Sequence, residues 1–320
     1  MAELAGLVLP FFGMILLGYL AAKARPQPEE ALGWLNAFIV YISLPALFFK
    51  LVSKTPIEQL TRIDFILANV SATYLVFGTI FAIGLFVRHA TVAEATVQGL
   101  SAAYGNIGYM GPGLALLAFG ERAAVPVALV FCFENMLHFM VAPALMALSG
   151  GGRQSAATVA AGILRRIVTH PFIVATAAGF VAAFSGFEPP VPLMRLIDYL
   201  AQAAAPCALF AMGVTLALRP VKRVPVEIAY IVPAKLLLLP AVMYLMLGFA
   251  GNFDPLWVFT AMLLAALPTA TNVFVIGQQY GVWQERASAT ILITTLLSVA
   301  TVTFLLYLIK SGLLPGDPFP

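Results

Sequence analysis

The sequence predicts an all-α integral membrane protein of ten transmembrane helices, arranged as two inverted repeats of five. Three observations lead to this prediction. Of the 320 residues, 62% are hydrophobic and only 10% are charged, whereas soluble domains carry roughly 25% charged residues. Ten apolar segments reach the length of about 20 residues that crosses a hydrocarbon layer of about 30 Å. Features of the first half also recur in the second half at one fixed offset.

The ten segments are continuously apolar rather than alternating with period two, which argues against a β-barrel. The amino terminus lacks the basic region and small-residue cleavage site of a signal peptide, so the first segment is expected to be the first mature span. Taken in order, the predicted spans are 4–23, 32–52, 64–87, 94–118, 124–147, 165–185, 193–218, 226–249, 256–280 and 286–310.

The duplication links spans 1 and 2 to spans 6 and 7. The matched positions lie 161 residues apart, and they pair Pro10 with Pro171, Gly18 with Gly179, and Pro45 with Pro206. Pro45 and Pro206 are expected to kink spans 2 and 7, because proline removes a backbone donor. Five spans per repeat is an odd number, so the second copy enters the membrane from the opposite side. Such inverted repeats are typical of transporters.

Basic residues predict the orientation. Lysine and arginine accumulate in cytoplasmic loops, and ten of the 17 lie after spans 1, 3, 5, 7 and 9, against six on the other side. Both termini are therefore expected on the periplasmic or outer face of the inner (cell) membrane. The Gly- and Ser-containing stretch 149–164 is predicted to be a flexible linker between repeat 1 (1–148) and repeat 2 (165–320). The net charge of +3 is small, which argues against a nucleic-acid partner.

Spans 4 and 9 are predicted to be broken helices. Span 4 contains four glycines and Pro112 between positions 105 and 113, and span 9 contains Pro268 followed by Thr, Ala, Thr and Asn. Glycine permits open dihedrals and proline interrupts helical hydrogen bonding. Non-helical backbone at membrane depth needs protein or a watery cavity around it, so two breaks predict a shared polar centre. The amino ends of the half-helices would carry partial positive charge into that centre, which favours an anion.

The side chains at these breaks suit recognition of a carboxylate, because amides and hydroxyls can donate hydrogen bonds without burying a fixed cation. The alternative is that they only bridge kinked helices, as polar residues in membrane bundles often do. The candidate substrate-binding residues are Asn106, Gly108, Tyr109, Gly111, Pro112, Pro268, Thr269, Thr271 and Asn272.

Three ionisable residues lie deep inside predicted spans: Glu134 and His138 in span 5, and Lys235 in span 8. A charge at the bilayer centre is unfavourable unless it is paired or hydrated. Glu134 and His138 are four residues apart on one helical face, so they could form a proton-carrying pair or meet Lys235. Coupling of transport to protons and a purely structural polar support both remain open.

Three stretches together resemble a known family: 43–48 (SLPALF) in span 2, 105–111 (GNIGYMG) in span 4 and 266–268 (ALP) in span 9. They resemble the auxin efflux carrier family, which includes plant PIN-FORMED auxin exporters and bacterial malonate permeases. The resemblance covers nearly the whole chain. One departure is that Pro112 follows Gly111 directly, one residue earlier than in the family pattern.

The resemblance implies a scaffold domain from spans 1, 2, 6 and 7 and a transport domain from spans 3–5 and 8–10. It also implies elevator-type alternating access, a homodimer formed through the scaffold, and a substrate held beside the crossing of spans 4 and 9. From the bacterial members it implies a small organic anion such as malonate. The expected protein is a secondary carrier in the lipid bilayer, not an enzyme, and it needs no cofactor or metal.

Three alternatives remain in view. A carrier of aromatic or indole-type carboxylates such as auxin would use the same architecture. A cation/proton antiporter would place carboxylates at the helix crossing, whereas this chain has asparagines and threonines there. An intramembrane enzyme could use Glu134 and His138, but further nearby His, Cys or carboxylate ligands are missing from the sequence. A Gly-rich phosphate-binding loop with its lysine is also missing, so ATP is not expected as the direct energy source.

Overall fold

The structure is a computed structural model that describes residues 2–149, 161–162, 164–165, 168–218 and 224–319. The predicted linker at 149–164 lies largely outside these residues. Counting the short 3-10 and π-helical turns that continue them, the described residues form twelve main helices. They are α1 (Ala2–Ala24), α2 (Glu30–Ser53), α3 (Glu58–Val87), α4 (Val92–Ala103), α5 (Ile107–Phe119), α6 (Glu121–Ser149), α7 (Pro171–Ser185), α8 (Val191–Leu218), α9 (Ile228–Ala250), α10 (Pro255–Ala265), α11 (Thr271–Tyr280) and α12 (Gln284–Lys310).

The all-helical fold class is confirmed, since the part of the chain that is described contains no extended strand. Six helices, α2, α3, α6, α8, α9 and α12, are long and apolar enough to cross a membrane. Shorter apolar helices are α5, α7, α10 and the stretch Leu9–Ala24 of α1. Eight of the predicted spans correspond to one helix each. Predicted spans 4 and 9 correspond to two helices each, α4 with α5 and α10 with α11.

The outer ends of the two half-helices α4 and α10 are fixed by side-chain caps. Thr91 forms a capping box with Glu94, in which the Glu94 N–H donates to Thr91 Oγ1 at 3.2 Å and the Thr91 N–H donates to Glu94 Oε2 at 3.0 Å. Asp254 accepts a hydrogen bond from the Leu256 N–H at 2.9 Å. Each cap stabilises its helix by about 1 kcal/mol. Both half-helices therefore begin at defined positions in loops and end where the chain is interrupted.

The described residues form two compact units. The first contains Met1–Arg62, Gly108–Cys132 and Thr169–Pro220, and the second contains Ile63–Ile107, Phe133–Val168 and Val221–Pro320. Helices α3, α5 and α6 contribute to both units. The predicted division into a scaffold and a transport domain stays a prediction.

Close helix packing in the first unit repeats itself between equivalent positions. On α1, a Cβ at Gly18 would overlap the carbonyl oxygen of Phe210 on α8. On α7, a Cβ at Gly179 would lie 3.2 Å from the carbonyl oxygen of Phe49 on α2. Gly179 and Phe210 each lie 161 residues after Gly18 and Phe49. The two contacts are therefore the same contact, with the contributions of the two halves of the chain exchanged.

The two prolines predicted as kinks occupy different local settings. Pro45 follows a π-helical turn, Ile39–Ser43, inside α2. Pro206 lies inside the continuous helix α8. The hydroxyl of Ser43 donates to the carbonyl of Leu200 at 2.6 Å, which ties α2 to α8 close to both prolines.

In the second unit, α3 packs against α4 and α9, and α9 packs against α10. A π-helical turn, Ala234–Leu238, widens α9 and places Lys235 in the interior, where it is fully buried. Single π turns inside α-helices occur frequently at functional sites. Polar residues are concentrated on the faces of α3, α4, α6 and α12 that are buried in this unit.

Candidate functional site

The two helix interruptions meet in the second unit. The chain leaves α4 after Ala103 and leaves α10 after Ala265, and positions Gly105 and Thr269 pair as an isolated antiparallel bridge. The Asn106 N–H donates to the carbonyl of Pro268 at 2.8 Å, and the Ala270 N–H donates to the carbonyl of Tyr104 at 2.9 Å. We call the non-helical residues 104–106 and 266–270 the crossover. These reciprocal bonds satisfy backbone groups that would otherwise be unpaired at membrane depth.

Local sequence explains where each helix stops. Pro268 has no N–H, so it cannot continue the helical ladder of α10, but its carbonyl remains free to accept from Asn106. In predicted span 4 the interruption falls at residues 104–106, before most of the glycines of that span. Pro112 lies inside α5. The pairing with residues 268–270, rather than the proline, therefore sets the position of the break in span 4.

Thr269 is buried completely and holds the crossover to two helices. Its hydroxyl donates to the carbonyl of Ser101 on α4 at 2.6 Å, and its N–H donates to Thr294 Oγ1 on α12 at 3.1 Å. The Thr294 hydroxyl in turn donates to the carbonyl of Thr290 at 2.7 Å. The Thr269 side chain, predicted to contact the substrate, is thus engaged in fixing the backbone.

Tyr104 connects the crossover to α6. Its hydroxyl accepts a hydrogen bond from the Asn272 amide at 2.8 Å and donates to Asn135 Oδ1 at 2.5 Å. Its ring stacks on the imidazole of His138, with centroids 4.2 Å apart. Tyr104 is only 2% exposed. It therefore orients Asn272, a predicted substrate-binding residue at the start of α11, from behind.

The ionisable residues of α6 turn to partners on α3 and at the crossover rather than to each other. Glu134 Oε1 accepts from Asn69 Nδ2 at 2.8 Å and from Thr73 Oγ1 at 2.7 Å. His138 Nδ1 lies 3.2 Å from the hydroxyl of Tyr74. Asn69 and Thr73 are four residues apart, so they share one face of α3. The polar faces of α3 and α6 thus meet in two separate contacts, one at Glu134 and one at His138, and the second extends to Tyr104 by ring stacking.

Lys235 supports the crossover from α9. Its ammonium donates to the carbonyl of Ala265, the last residue of α10, at 2.6 Å. A Cβ at Gly105 would lie 3.4 Å from the same nitrogen. A cation at the carboxyl end of a helix is favourable because the helix dipole is negative there. Within the described part of the chain, Lys235 forms no salt bridge with Glu134.

The amino end of α11 points its first-turn N–H groups to the crossover without a side-chain cap. Its N-cap residue is Ala270, which cannot cap, whereas α4 and α10 start at Thr91 and Asp254. Thr271 and Asn272 in its first turn are half-buried. Asn106, in the other segment of the crossover, is 3% exposed.

The remaining candidates lie on α5 directly after the interruption. Gly108 and Tyr109 are partly exposed, and Gly111 and Pro112 are buried. A Cβ at Gly108 would lie 3.1 Å from the ring of Phe131. These four positions belong to the first unit, whereas Asn106 belongs to the second.

Sequence reasoning did not identify several residues that build this site. They come from helices distant in sequence, so only the i,i+4 spacing of Asn69 and Thr73 offered a signal. The residues are Asn69, Thr73, Tyr74, Ser101, Tyr104, Asn135 and Thr294. The described residues also contain no group of three or more His, Cys, Asp or Glu side chains able to hold a metal ion.

Comparison with known proteins decides the family. A family model described as "Membrane transport protein" matches residues 4–306. The chain belongs to this family. The resemblance to the auxin efflux carrier family is thereby confirmed. The protein is accordingly an integral, multi-pass membrane transporter and not an enzyme.

Relatives of this transporter family match over nearly full length. The chain is 74% identical over 320 residues, covering all of both proteins, to a Rhizobium meliloti (strain 1021) protein named "Putative malonate transporter". It is 25% identical over 309 residues to "Uncharacterized transporter YfdV" of Escherichia coli K12, covering 94% of this chain and 96% of the relative. A Methanothermobacter thermautotrophicus protein named "Uncharacterized transporter" is 24% identical over 301 residues, covering 92% and 95%.

Proposed function

We propose that this protein is a secondary transporter that carries malonate, or a closely related small carboxylate, by alternating access at the crossover. The observation that carries the proposal is the uncapped amino end of α11 at the meeting point of two interrupted helices. Such an end carries a partial positive charge of about half an elementary unit and unpaired N–H donors. A carboxylate is a natural partner for it.

The charges around the crossover favour an anion over a cation. Asn106, Thr271 and Asn272 are neutral, and they offer donors as well as acceptors. The ammonium of Lys235 lies directly behind Gly105. Cation sites in proteins are instead built from carboxylate and carbonyl oxygens. The alternative of a cation/proton antiporter is less consistent with this arrangement.

The choice of malonate rests on similarity. The name of the relative that is 74% identical over the full length refers to malonate. Identity at that level over the whole chain supports a shared substrate class. An aromatic carboxylate would use the same carboxylate-binding groups and differ in the space beside them, so it serves as the comparison substrate in the test below.

The architecture that we propose has ten spans in two inverted repeats. Spans 1, 2, 6 and 7 form a scaffold, and the remaining spans form a transport domain that moves as an elevator. The repeated contact, Gly18 with Phe210 and Gly179 with Phe49, supports a two-fold relation between the repeats, because a two-fold axis exchanges partners in this way. A homodimer through the scaffold, and both termini on the periplasmic side of the inner membrane, complete the proposal.

The test is uptake of radiolabelled malonate by proteoliposomes. Asn106→Ala is compared with Asn252→Ala, because Asn252 is exposed in the loop that follows α9. We expect saturable uptake by the wild type and by Asn252→Ala, and loss of at least about 90% of it in Asn106→Ala, as removal of an orienting amide costs more than about 1.4 kcal/mol. An excess of an aromatic carboxylate should compete weakly. Equal uptake by both variants, or none by folded wild type, would refute the proposed site or substrate.

A further inference from the structure

Glu134 is a buried carboxylate in a membrane span, and only one of its oxygens is bonded. The residue is 4% exposed. Both of its hydrogen bonds, from Asn69 and Thr73, reach Oε1. Among the described residues, Oε2 receives no hydrogen bond. Unlike the fully buried polar atoms that lack a partner, Oε2 keeps some accessible surface. Oε2 is therefore the position at which this side chain can take up a proton.

The groups around Glu134 leave its charge without a direct counter-ion. Tyr74 of α3 and Lys235 of α9 are the titratable groups that act on Glu134 through space, and His138 and Tyr104 lie beside Tyr74. Lys235 is close enough to act on Glu134 through space, but its hydrogen bond goes to the end of α10. The donors that touch Glu134 are neutral. Carboxylates in this situation inside membrane spans mark ion or proton pathways.

His138 is not suited to pass this proton on. Its Nδ1 faces the hydroxyl of Tyr74, and its Nε2 is sealed in the interior without a hydrogen-bond partner. The imidazole is fully buried and stacked on Tyr104. The geometry fits a residue that positions Tyr104. Of Glu134 and His138, Glu134 alone keeps an open atom.

Glu134 precedes on α6 a residue that contacts the crossover. Glu134 is followed directly by Asn135, which accepts from Tyr104, and Tyr104 in turn holds the Asn272 amide. A negative charge on Glu134 opposes an anion bound nearby, because like charges repel more strongly in a low-dielectric interior. Neutralising Glu134 removes that repulsion. Binding of a proton and binding of an anion therefore favour each other, and this linkage is reciprocal.

We propose that Glu134 binds the proton that travels with the anion, so that the protein is a proton–anion symporter. This inference rests on the proposed function. On the acidic side, Oε2 of the carboxylate takes one proton and becomes a neutral carboxyl group, and the anion then occupies the crossover. On the other side the anion leaves and the proton is released to water. No other bond is made or broken.

The test uses proteoliposomes that contain the full-length protein. Transport of radiolabelled malonate is measured in two modes. Counterflow is measured with malonate on both sides of the membrane at equal pH. It requires only that the carrier exchanges bound malonate between the two sides. Accumulation against an outside-acidic gradient needs coupling. The matched variants are Glu134→Gln and Glu94→Gln, since Glu94 is a carboxylate in the first turn of α4. Malonate's own protonation changes with pH identically for every variant.

With the membrane potential held at zero, we expect the wild type and Glu94→Gln to gain about tenfold in accumulation for a gradient of one pH unit, the limit for one coupled proton. Glu134→Gln should keep counterflow and lose that gain. A Glu134→Gln protein that still gains tenfold would overturn the proposal, as would wild-type counterflow without any gain. Absence of wild-type counterflow would instead contradict the proposed function.

A second variant covers the case in which Glu134→Gln gives no counterflow. Glu134→Asp keeps a titratable carboxyl group that is one methylene shorter. We expect it to show counterflow and a gradient-dependent gain with an altered pH profile. If both variants are folded and both lack counterflow, Glu134 is required for exchange itself, and its assignment as the coupling site is wrong.

Discussion

Replacement of Tyr104 by phenylalanine removes one hydroxyl and leaves the ring in place. The ring contact with His138, with centroids 4.2 Å apart, remains possible in the variant. Two hydrogen bonds are lost, from the Asn272 amide and to Asn135. Asn135 is only 5% exposed, whereas Asn272 is half-buried and can reach water. Loss of a partner by a buried polar group costs about 1–3 kcal/mol, so we expect a total loss of about 1–2 kcal/mol in stability.

The larger effect of Tyr104→Phe should be on transport. Asn272 stands in the first turn of α11, and without Tyr104 its amide is free to rotate away from the crossover. Loss of about 1.4 kcal/mol of anion binding corresponds to about a tenfold higher KM. The assay is concentration-dependent malonate counterflow in proteoliposomes, together with thermal unfolding of the purified protein. Tyr41→Phe is the matched control, because Tyr41 is 68% exposed on α2.

An unchanged KM in a folded Tyr104→Phe protein would refute the reasoning that Tyr104 orients Asn272 for the substrate. A raised KM in the Tyr41→Phe control would show that the assay responds to loss of any tyrosine hydroxyl. An equal effect of Tyr104→Phe and Tyr104→Leu would contradict the retained role of the ring against His138.

Two further predictions concern packing and charge. Gly18→Ala should lower the thermal unfolding temperature of the purified protein, because the added Cβ would meet a carbonyl of α8 and overpacking costs about 1–3 kcal/mol. Gly13→Ala is the control on the same helix. Its Cβ would face open space, so its unfolding temperature should stay unchanged. Equal unfolding temperatures would contradict this. Lys235→Met should raise the KM for malonate about tenfold, the effect of one unit charge at about 10 Å in an effective dielectric constant of about 20. The exposed residue Lys54 offers the control variant Lys54→Met, and an unchanged KM in Lys235→Met would exclude a role of that charge in binding.

Composition and run length were sufficient to predict the all-helical class and most helix positions. Apolar segments of about 20 residues have few other solutions in a lipid environment. The existence of two interruptions was also predictable, because Pro268 and the glycines of span 4 weaken the helical ladder. The exact residues at which the two helices stop were less predictable. The helix in span 4 stops before Pro112 because residues 104–106 pair with 268–270, and pairing between segments this far apart is a tertiary property.

The sequence marked the candidate site at the helix breaks and at the buried ionisable residues Glu134, His138 and Lys235, but not at the residues that connect them. Asn106 and Asn272 stand beside helix-breaking residues, so the local sequence marks them. Tyr104 was not marked, because its importance comes from Asn135, which lies on another helix. The i,i+4 spacing of Glu134 and His138 left a pair as one option. In the structure, Glu134 bonds to α3, and His138 contacts Tyr74 of α3 and Tyr104 of the crossover. The sequence of α6 alone does not contain these partners.

The most direct test of the central claim is a cryo-EM structure of the purified protein with saturating malonate, compared with one without it. The account predicts density for the anion within about 3 Å of Asn106 and of the first-turn N–H groups of α11. It also predicts that this density is lost in Asn106→Ala. Density for malonate at another place, with the crossover empty in a preparation that transports malonate, would contradict the assignment of the crossover as the substrate site.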